Sequence, residues 1–235
     1  MLRRSFLGYC SIGTGLFVSG AALSEEEPMY DLIVVGSGAA ALAAAVSASD
    51  EGLKNILVVE KEPIIGGSSA ISGGAVAVSQ TEFQRQQGVY DTDERFFNDL
   101  MKCGGYANDP SLVKTLVSGI RQQYDWIISK GLSPMKLMAA SGMSLPRSHM
   151  FNSGLLIQLF REELSSRGIR IKTGCRAMEL LQHNGRVVGV LVTHCGKSFF
   201  LQSRKGVVLA TGGFARNQAL LSRYAPQMKK VNKRL

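Results

Sequence analysis

Two glycines, an alanine and one acid, at fixed spacing, carry the clearest chemistry in the chain. Gly36-Ser37-Gly38-Ala39-Ala40-Ala41 follows the apolar run Asp31-Leu32-Ile33-Val34-Val35 without a break. In this G-x-G-x-x-A spacing the first glycine permits a tight strand-to-helix turn. The second lets backbone approach a pyrophosphate, and a small third residue allows close helix–strand packing. Ala39 and Ala40 open a helix whose first-turn N–H groups and positive dipole end attract phosphate. Glu60 stands 22 residues after Gly38, near the ~20 at which a carboxylate reaches a ribose hydroxyl. The chemistry of this pattern is dinucleotide binding, and by itself it does not choose between NAD and FAD.

The elements that must position these residues are readable. Asp31–Val35 is rich in β-branched residues and reads as a buried parallel strand. About Ala39 to Glu51 reads as a helix built largely from alanine, the best helix former. Ile56-Leu57-Val58-Val59 reads as a second strand that ends on Glu60. Strand, helix, strand and acid follow in order within ~30 residues, which is the context the fingerprint requires.

The next stretch, Gly66-Gly67-Ser68-Ser69-Ala70-Ile71-Ser72-Gly73-Gly74, sets two glycine pairs and three hydroxyls just beyond Glu60. Glycines let backbone lie against a flat or charged ligand. Here the chain resembles the flavoprotein family of soluble fumarate reductases, the succinate dehydrogenase flavoprotein subunit and ketosteroid dehydrogenases. In that family a glycine-rich stretch at this place passes the pyrophosphate and flavin of FAD. The resemblance therefore implies FAD. Members with covalent flavin carry a histidine in the stretch; Ser68 and Ser69 stand here, which implies non-covalent FAD. The resemblance continues through Ala210-Thr211-Gly212-Gly213, which closes the FAD cradle in such proteins. It also places backbone near Ala177 against the adenine. Fingerprint and resemblance together mark Gly36, Gly38, Ala39, Ala40, Glu60, Lys61, Gly67, Ser68, Ser69, Ser72, Gly73, Gly74, Ala177, Thr211, Gly212 and Gly213 as cofactor-binding. The matching motifs span about residues 30 to 225. The implied fold is α/β: a Rossmann-like FAD-binding domain with a parallel sheet, flanking helices and a small antiparallel β meander.

Between and after these motifs, Ala75 to about Gln87 reads as a loop. Asp91-Thr92-Asp93-Glu94 starts a helix, with acids in the first turn, and Gly104-Gly105 stops it. Asn108-Asp109-Pro110-Ser111 starts another, and a third runs through Trp126-Ile127-Ile128 to Gly131. Trp126 reads as packed on an apolar face, with flavin stacking as the alternative. Arg147-Ser148-His149 is a polar cluster; similar flavoproteins carry Arg-x-His near the flavin. His149 reads as a loop histidine satisfied by backbone, the alternative being a donor or proton relay at the flavin. Gly154–Arg167 is an amphipathic helix and Ile169–Ile171 a strand. Cys175–Leu181 and Val187–Val192 form a hairpin around Asn184-Gly185, Ser198–Gln202 adds a strand, and Gly206–Leu209 is a further buried strand.

Apolar residues make up 45% and charged residues 19% of the 235-residue chain, a globular composition with enough apolar material for a core. The net charge of +9 is uneven: the last 20 residues carry six basic side chains and no acid. That is a basic tail without a nucleic-acid-binding module. Residues 1–24 read as a signal peptide. Arg3-Arg4-Ser5-Phe6-Leu7 resembles a twin-arginine signal, which implies export to the periplasm already folded around cofactor. The apolar run after it is short for a membrane span; an uncleaved N-terminal anchor is the alternative. Cys103, Cys175 and Cys195 form no Cys-x-x-Cys pair, so neither zinc nor a c-type haem attachment is indicated.

Residues 25–235 thus read as an FAD-binding domain that stops before the capping domain of the family, where the substrate-clamping residues lie. No catalytic residue is assigned. A fragment, a truncated frame and one half of a two-chain enzyme remain open. The implied activity is hydride transfer between flavin and the C=C bond of a small unsaturated acid, supplied by a separate electron-donor protein such as a cytochrome. A ketosteroid dehydrogenase-type flavoprotein, or a non-catalytic FAD-binding relic, is the alternative.

Overall fold

The computed structural model describes residues 29–215 and 217–230. The twin-arginine segment lies outside them. At the centre is a four-stranded parallel sheet, ordered β10-β1-β2-β6. Its strands are β1 (Leu32–Val35), β2 (Ile56–Val59), β6 (Arg170–Lys172) and β10 (Val207–Leu209). α1 (Ala39–Asp50) makes the crossover from β1 to β2.

Successive side chains of a strand point to opposite faces, and both faces of this sheet are covered. Val34, Ile56 and Val58 meet Ala41, Leu42, Ala45 and Val46 of α1 and Ile157, Phe160 and Leu164 of α6 (Ser153–Ser166). Ile33, Val35, Leu57 and Val59 meet Cys175, Val190, Val192 and Leu201 on the other side. Those residues belong to an antiparallel meander of β7 (Cys175–His183), β8 (Arg186–His194) and β9 (Lys197–Gln202). Full burial stabilises by about 1.5–3 kcal/mol for each Val, Leu or Ile, and double coverage explains why β1 and β2 are continuously apolar. The β7–β8 turn places Asn184 at φ +48° and Gly185 at φ +74°, both left-handed, as a tight hairpin requires.

The segment between β2 and α6 carries a separate small sheet and four helices. α2 (Gly67–Ala70), β3 (Ala75–Ala77), α3 (Glu82–Gln86), α4 (Asp93–Cys103), α5 (Pro110–Ser129), β4 (Lys136–Met138) and β5 (Ser148–Met150) follow in order. β5 is the middle strand of the antiparallel sheet β3-β5-β4. α4 and α5 pack through Phe96, Met101, Val113 and Val117. The chain ends its described part in α7 (Gln218–Tyr224) and a 3₁₀ turn, Pro226–Lys230.

Three expectations change. The stretch expected as loop holds β3 and α3, and Thr81 and Gln84 close a capping box on α3. The two helices expected between Asn108 and Gly131 are one 20-residue helix, α5; Gly119 lies inside it and costs about 1 kcal/mol relative to alanine, which burial of Val113, Val117, Tyr124 and Ile127 outweighs. His149 lies on β5, not in a loop. Trp126 stacks on Phe160 with ring centroids 5.1 Å apart. Among the described residues, no helix is long and apolar enough to cross a membrane.

Candidate cofactor site

At the C-terminal ends of β1, β2 and β10 a cleft of about 230 Å³ opens between the parallel sheet and the meander. Gly36, Glu60, Lys61, Ala177 and Thr211 all line it. These five come from four separate stretches of sequence. In parallel α/β sheets the crevice beyond the carboxyl ends of the strands, where the strand order reverses, is where ligands bind. β1 is such a place, with β2 on one side and β10 on the other.

Gly36 follows β1 at φ +108°. Its N–H donates to Val59 O at 2.8 Å. A Cβ on it would lie 2.3 Å from the Ala210 carbonyl oxygen. Glycine therefore lets the end of β10, and the Thr211-Gly212-Gly213 segment after it, close against the β1 turn. Gly38 differs. It is the N-cap of α1 at φ −73°, and a Cβ there would meet only Ser69 Oγ at 3.4 Å and Gly66 O at 3.9 Å. Nothing in the protein forbids a side chain at 38, so a demand for glycine there has to come from a ligand.

α1 begins with no capping side chain and no acid in its first turn. Ser69 Oγ accepts from Ala39 N–H at 3.1 Å. Ala40 stands exposed beside it, and the first-turn amides lack i−4 acceptors by geometry. This end of the helix can take an anion without displacing a protein carboxylate.

Glu60 is buried, with both oxygens engaged. Ser37 Oγ donates to one oxygen at 2.6 Å, and Glu62 N–H donates to the other at 2.9 Å. A carboxylate offers about four acceptor positions, so capacity remains for a ligand hydroxyl. Lys61 pairs with Glu62 at 3.3 Å on the rim. Ala177 sits beside a β-bulge: Ala177 pairs with Val192 and Glu179 with Leu191, which leaves Met178 as the extra residue. Bulges re-aim side chains and recur beside binding sites; Met178 also lines the cleft.

The glycine–serine arm is not part of the cleft lining and meets the start of α1 through Ser69. Gly66 and Gly67 take φ +104° and +49°. Ser72 Oγ donates to Ser69 O at 2.9 Å and accepts from Gly74 N–H at 3.2 Å. Ser68 and Gly73 are exposed. Gly74, at φ +71°, lies so close to β5 that a Cβ would sit 2.0 Å from Phe151 O.

Arg147 and His149 stand behind this arm, fully buried. A carbonyl can only accept, so His149 Nδ1–H donates to Arg147 O at 2.7 Å. Nε2 of the neutral ring then accepts from Thr81 O–H at 2.7 Å. Burial pushes the His149 imidazolium below its ordinary pKa, and the carbonyl bonds only partly oppose this. The ring is a satisfied structural partner of backbone and Thr81.

Ser37 is the residue that sequence reasoning missed. It occupies a variable place of the fingerprint, yet it binds Glu60 and accepts Gly66 N–H at 3.1 Å. Its burial has no local signal. Met178 likewise has none, since a bulge depends on the partner strand.

The FAD binding domain family matches residues 31–232. The chain is 34% identical over 215 residues to the fumarate reductase (cytochrome) of Shewanella frigidimarina, with 89% of this chain and 38% of that protein covered. It is 32% identical over 230 residues to the NADH:fumarate oxidoreductase of Klebsiella pneumoniae, with 93% and 25% covered. The open conformation of a flavocytochrome c3 fumarate reductase superposes with a TM-score of 0.82 at 30% identity, covering 88% of this chain and 37% of that one. The 3-ketosteroid-Δ4-(5α)-dehydrogenase of Rhodococcus jostii superposes with a TM-score of 0.80 at 26% identity, covering 88% and 50%. The chain thus spans a quarter to about two fifths of the length of these curated relatives.

Proposed function

Because this chain belongs to the FAD-binding domain family of flavoproteins, with FAD as its cofactor, we propose that it forms the flavin-holding part of a fumarate reductase-type oxidoreductase. The observation that supports this most is the convergence of Gly36, Glu60, Lys61, Ala177 and Thr211 on one cleft next to the start of α1, where the Gly38 N-cap carries no side chain and the first turn no acid. The open space at Gly38 fits a group that approaches the backbone there.

Each residue has a physical task in this reading. The first-turn amide of Ala40 faces the pyrophosphate, with Ala39, whose N–H is held by Ser69 Oγ, beside it and the α1 dipole adding attraction. Glu60, held by Ser37, accepts from a ribose hydroxyl. Backbone at the Ala177 bulge takes the adenine edge. Ser68 and Ser69 present small hydroxyls, and Ser72, Gly73 and Gly74 a backbone held by the Ser72 hydroxyl, along the path to the flavin. Thr211-Gly212-Gly213 closes the other side. The bond is non-covalent, since serines stand where a histidine would attach. FAD, once bound, supplies hydride transfer, here to the C=C bond of a small unsaturated acid.

We propose a separate electron-donor protein, such as a cytochrome, as the source of reducing equivalents. We further propose that residues 25–235 act as the FAD-binding domain and that the Arg3-Arg4 segment directs export to the periplasm, with an N-terminal anchor as the alternative. A second substrate class, ketosteroids, is favoured by the likeness to the Rhodococcus dehydrogenase.

Anaerobic reoxidation of the photoreduced FAD complex separates the two. Fumarate, urocanate and acrylate are compared with steroid enones, following flavin absorbance. Reoxidation by an enoate anion supports the reading; reoxidation by a steroid enone alone overturns it.

A further inference from the structure

Alternate residues of the β5 line are each tied down. Arg147, His149 and Phe151 are 1%, 0% and 1% exposed, and in extended chain such a series shares one face. Arg147 grips two carboxylates. Its Nε and Nη2 donate to Asp91 at 2.5 and 2.9 Å, and its Nη1 donates to Asp99 at 2.5 Å. Ser144 gives Asp99 two further bonds, from N–H at 2.9 Å and from Oγ at 2.7 Å. Gln84 Nε2 donates to Asp91 at 3.3 Å. Beyond Arg147, His149 is held by Thr81, as described above.

A buried ion cluster is weak evidence for stability, because desolvation cancels much of its Coulomb gain. What it does supply is a fixed direction, since a planar guanidinium fits two carboxylates in few ways. The question is what that direction serves. β5 pairs with β3 in the register Ala75–Met150, Val76–His149 and Ala77–Ser148. Past its end, Phe151 N–H donates to Gly74 O at 2.9 Å, and Ser153 Oγ donates to Ala70 O at 2.9 Å. Gly74 and Ala70 are the far end and the middle of the glycine–serine arm. The arm is thus hung on the continuation of β5, and β5 is aimed by Arg147.

We infer that Arg147, clamped by Asp91 and Asp99, is a positioning residue for the cofactor: through β5 it sets the conformation of the Ser68–Gly74 arm. The inference rests on the FAD reading for its binding consequence, though not for its structural one. Arg147 is buried with its guanidinium given to Asp91 and Asp99, so its effect is transmitted through backbone.

Hydrogen exchange of the whole chain without FAD reads the structural consequence, and an FAD titration followed by flavin fluorescence reads the binding one. Two variants are used. Arg147→Lys keeps the buried charge but loses the fork. Asp91→Asn/Asp99→Asn/Arg147→Met removes all three charges at once, so that no lone buried ion is left. Circular dichroism confirms which of them fold. The expected result is at least tenfold faster exchange for peptides covering 68–77 in the triple variant, and about threefold in Arg147→Lys. Peptides covering β1, α1 and β2 stay unchanged, and FAD affinity falls about tenfold in the triple variant. A merely structural cluster would lower the melting temperature and leave arm exchange in step with the rest of the fold. That outcome, or unchanged arm exchange in a folded variant, overturns the inference; if the triple variant does not fold, Arg147→Lys decides. Failure of the unmodified chain to bind FAD would count against the cofactor reading alone, since the exchange comparison is independent of it.

Discussion

Gly36→Ala and Gly38→Ala are expected to damage the protein in opposite ways, although both alter the same fingerprint. At Gly36 the obstacle is the protein. An L-residue at φ +108° costs about 1–2 kcal/mol. A Cβ 2.3 Å from Ala210 O and 2.9 Å from Ala210 C must push β10 backbone aside, and such overpacking costs about 1–3 kcal/mol. The sum is about 2–5 kcal/mol. At about 2–4 °C per kcal/mol for a chain of this size, the melting temperature falls by roughly 4–20 °C. At Gly38 the backbone is ordinary and the nearest atom is 3.4 Å away. The cost of alanine at an N-cap, about 1 kcal/mol or less, is partly offset by lower entropy of the unfolded chain. The apo variant should melt within a few degrees of the parent. Its loss is in binding, because the methyl group occupies the approach to the pyrophosphate. One or two charge-assisted hydrogen bonds, about 1.5–3 kcal/mol each, correspond to a rise in Kd of roughly tenfold to 150-fold for one bond and more for two. Thermal melts of the apo proteins and fluorescence titration with FAD separate the two effects. Equal melts for both variants would refute the contact argument at Gly36. Parental FAD affinity in Gly38→Ala would refute the pyrophosphate placement.

Other expectations concern the groups around the site. Ser37→Ala removes a bond to Glu60 and an acceptor for Gly66 N–H; leaving a buried carboxylate short of a donor costs about 1–3 kcal/mol, read as a lower midpoint in urea with an unchanged slope. Acid should destabilise the fold beginning near the ordinary histidine value of 6.5. His149 is held neutral when folded and takes a proton when unfolded, so stability is present above that value and is lost as pH falls through it. His149→Gln should flatten the decline in melting temperature between pH 7 and 5, and an equally steep decline in the variant would contradict this. A second acid transition belongs to Asp99. Burial pushes its carboxyl up, but Ser144 and Arg147 outweigh this and hold it below 3.8. Its contribution is present above that ordinary value and lost as pH falls through the lower folded one. Asp99→Asn should lessen the loss of stability below pH 4, measured by urea unfolding.

The β1–α1–β2 unit was legible because every level agreed on it. β-branched runs, an alanine-rich helix and glycines at the turn all point to the same local structure. The α3 capping box at Thr81-Glu82-Phe83-Gln84 was also present as a pattern, but five residues between two glycine-rich stretches offer little periodicity to set against a loop. α5 was split because nothing local says that burial will carry a helix through Gly119. The Arg147 cluster could not be read at all. Its partners Asp91 and Asp99 lie 56 and 48 residues away, and only the packing of α4 and the turn before it against the start of β5 brings them together. Ser37 and Glu60 are a milder case, 23 residues apart and joined only because β1 and β2 run side by side.

The visible absorbance spectrum of the purified 235-residue chain, before and after heat release of ligand, bears most directly on the cofactor cleft. Non-covalent binding predicts a protein-bound flavin spectrum that leaves with the supernatant as free FAD. A folded but colourless chain that takes up no added FAD, or a flavin that stays with the denatured protein, would contradict it.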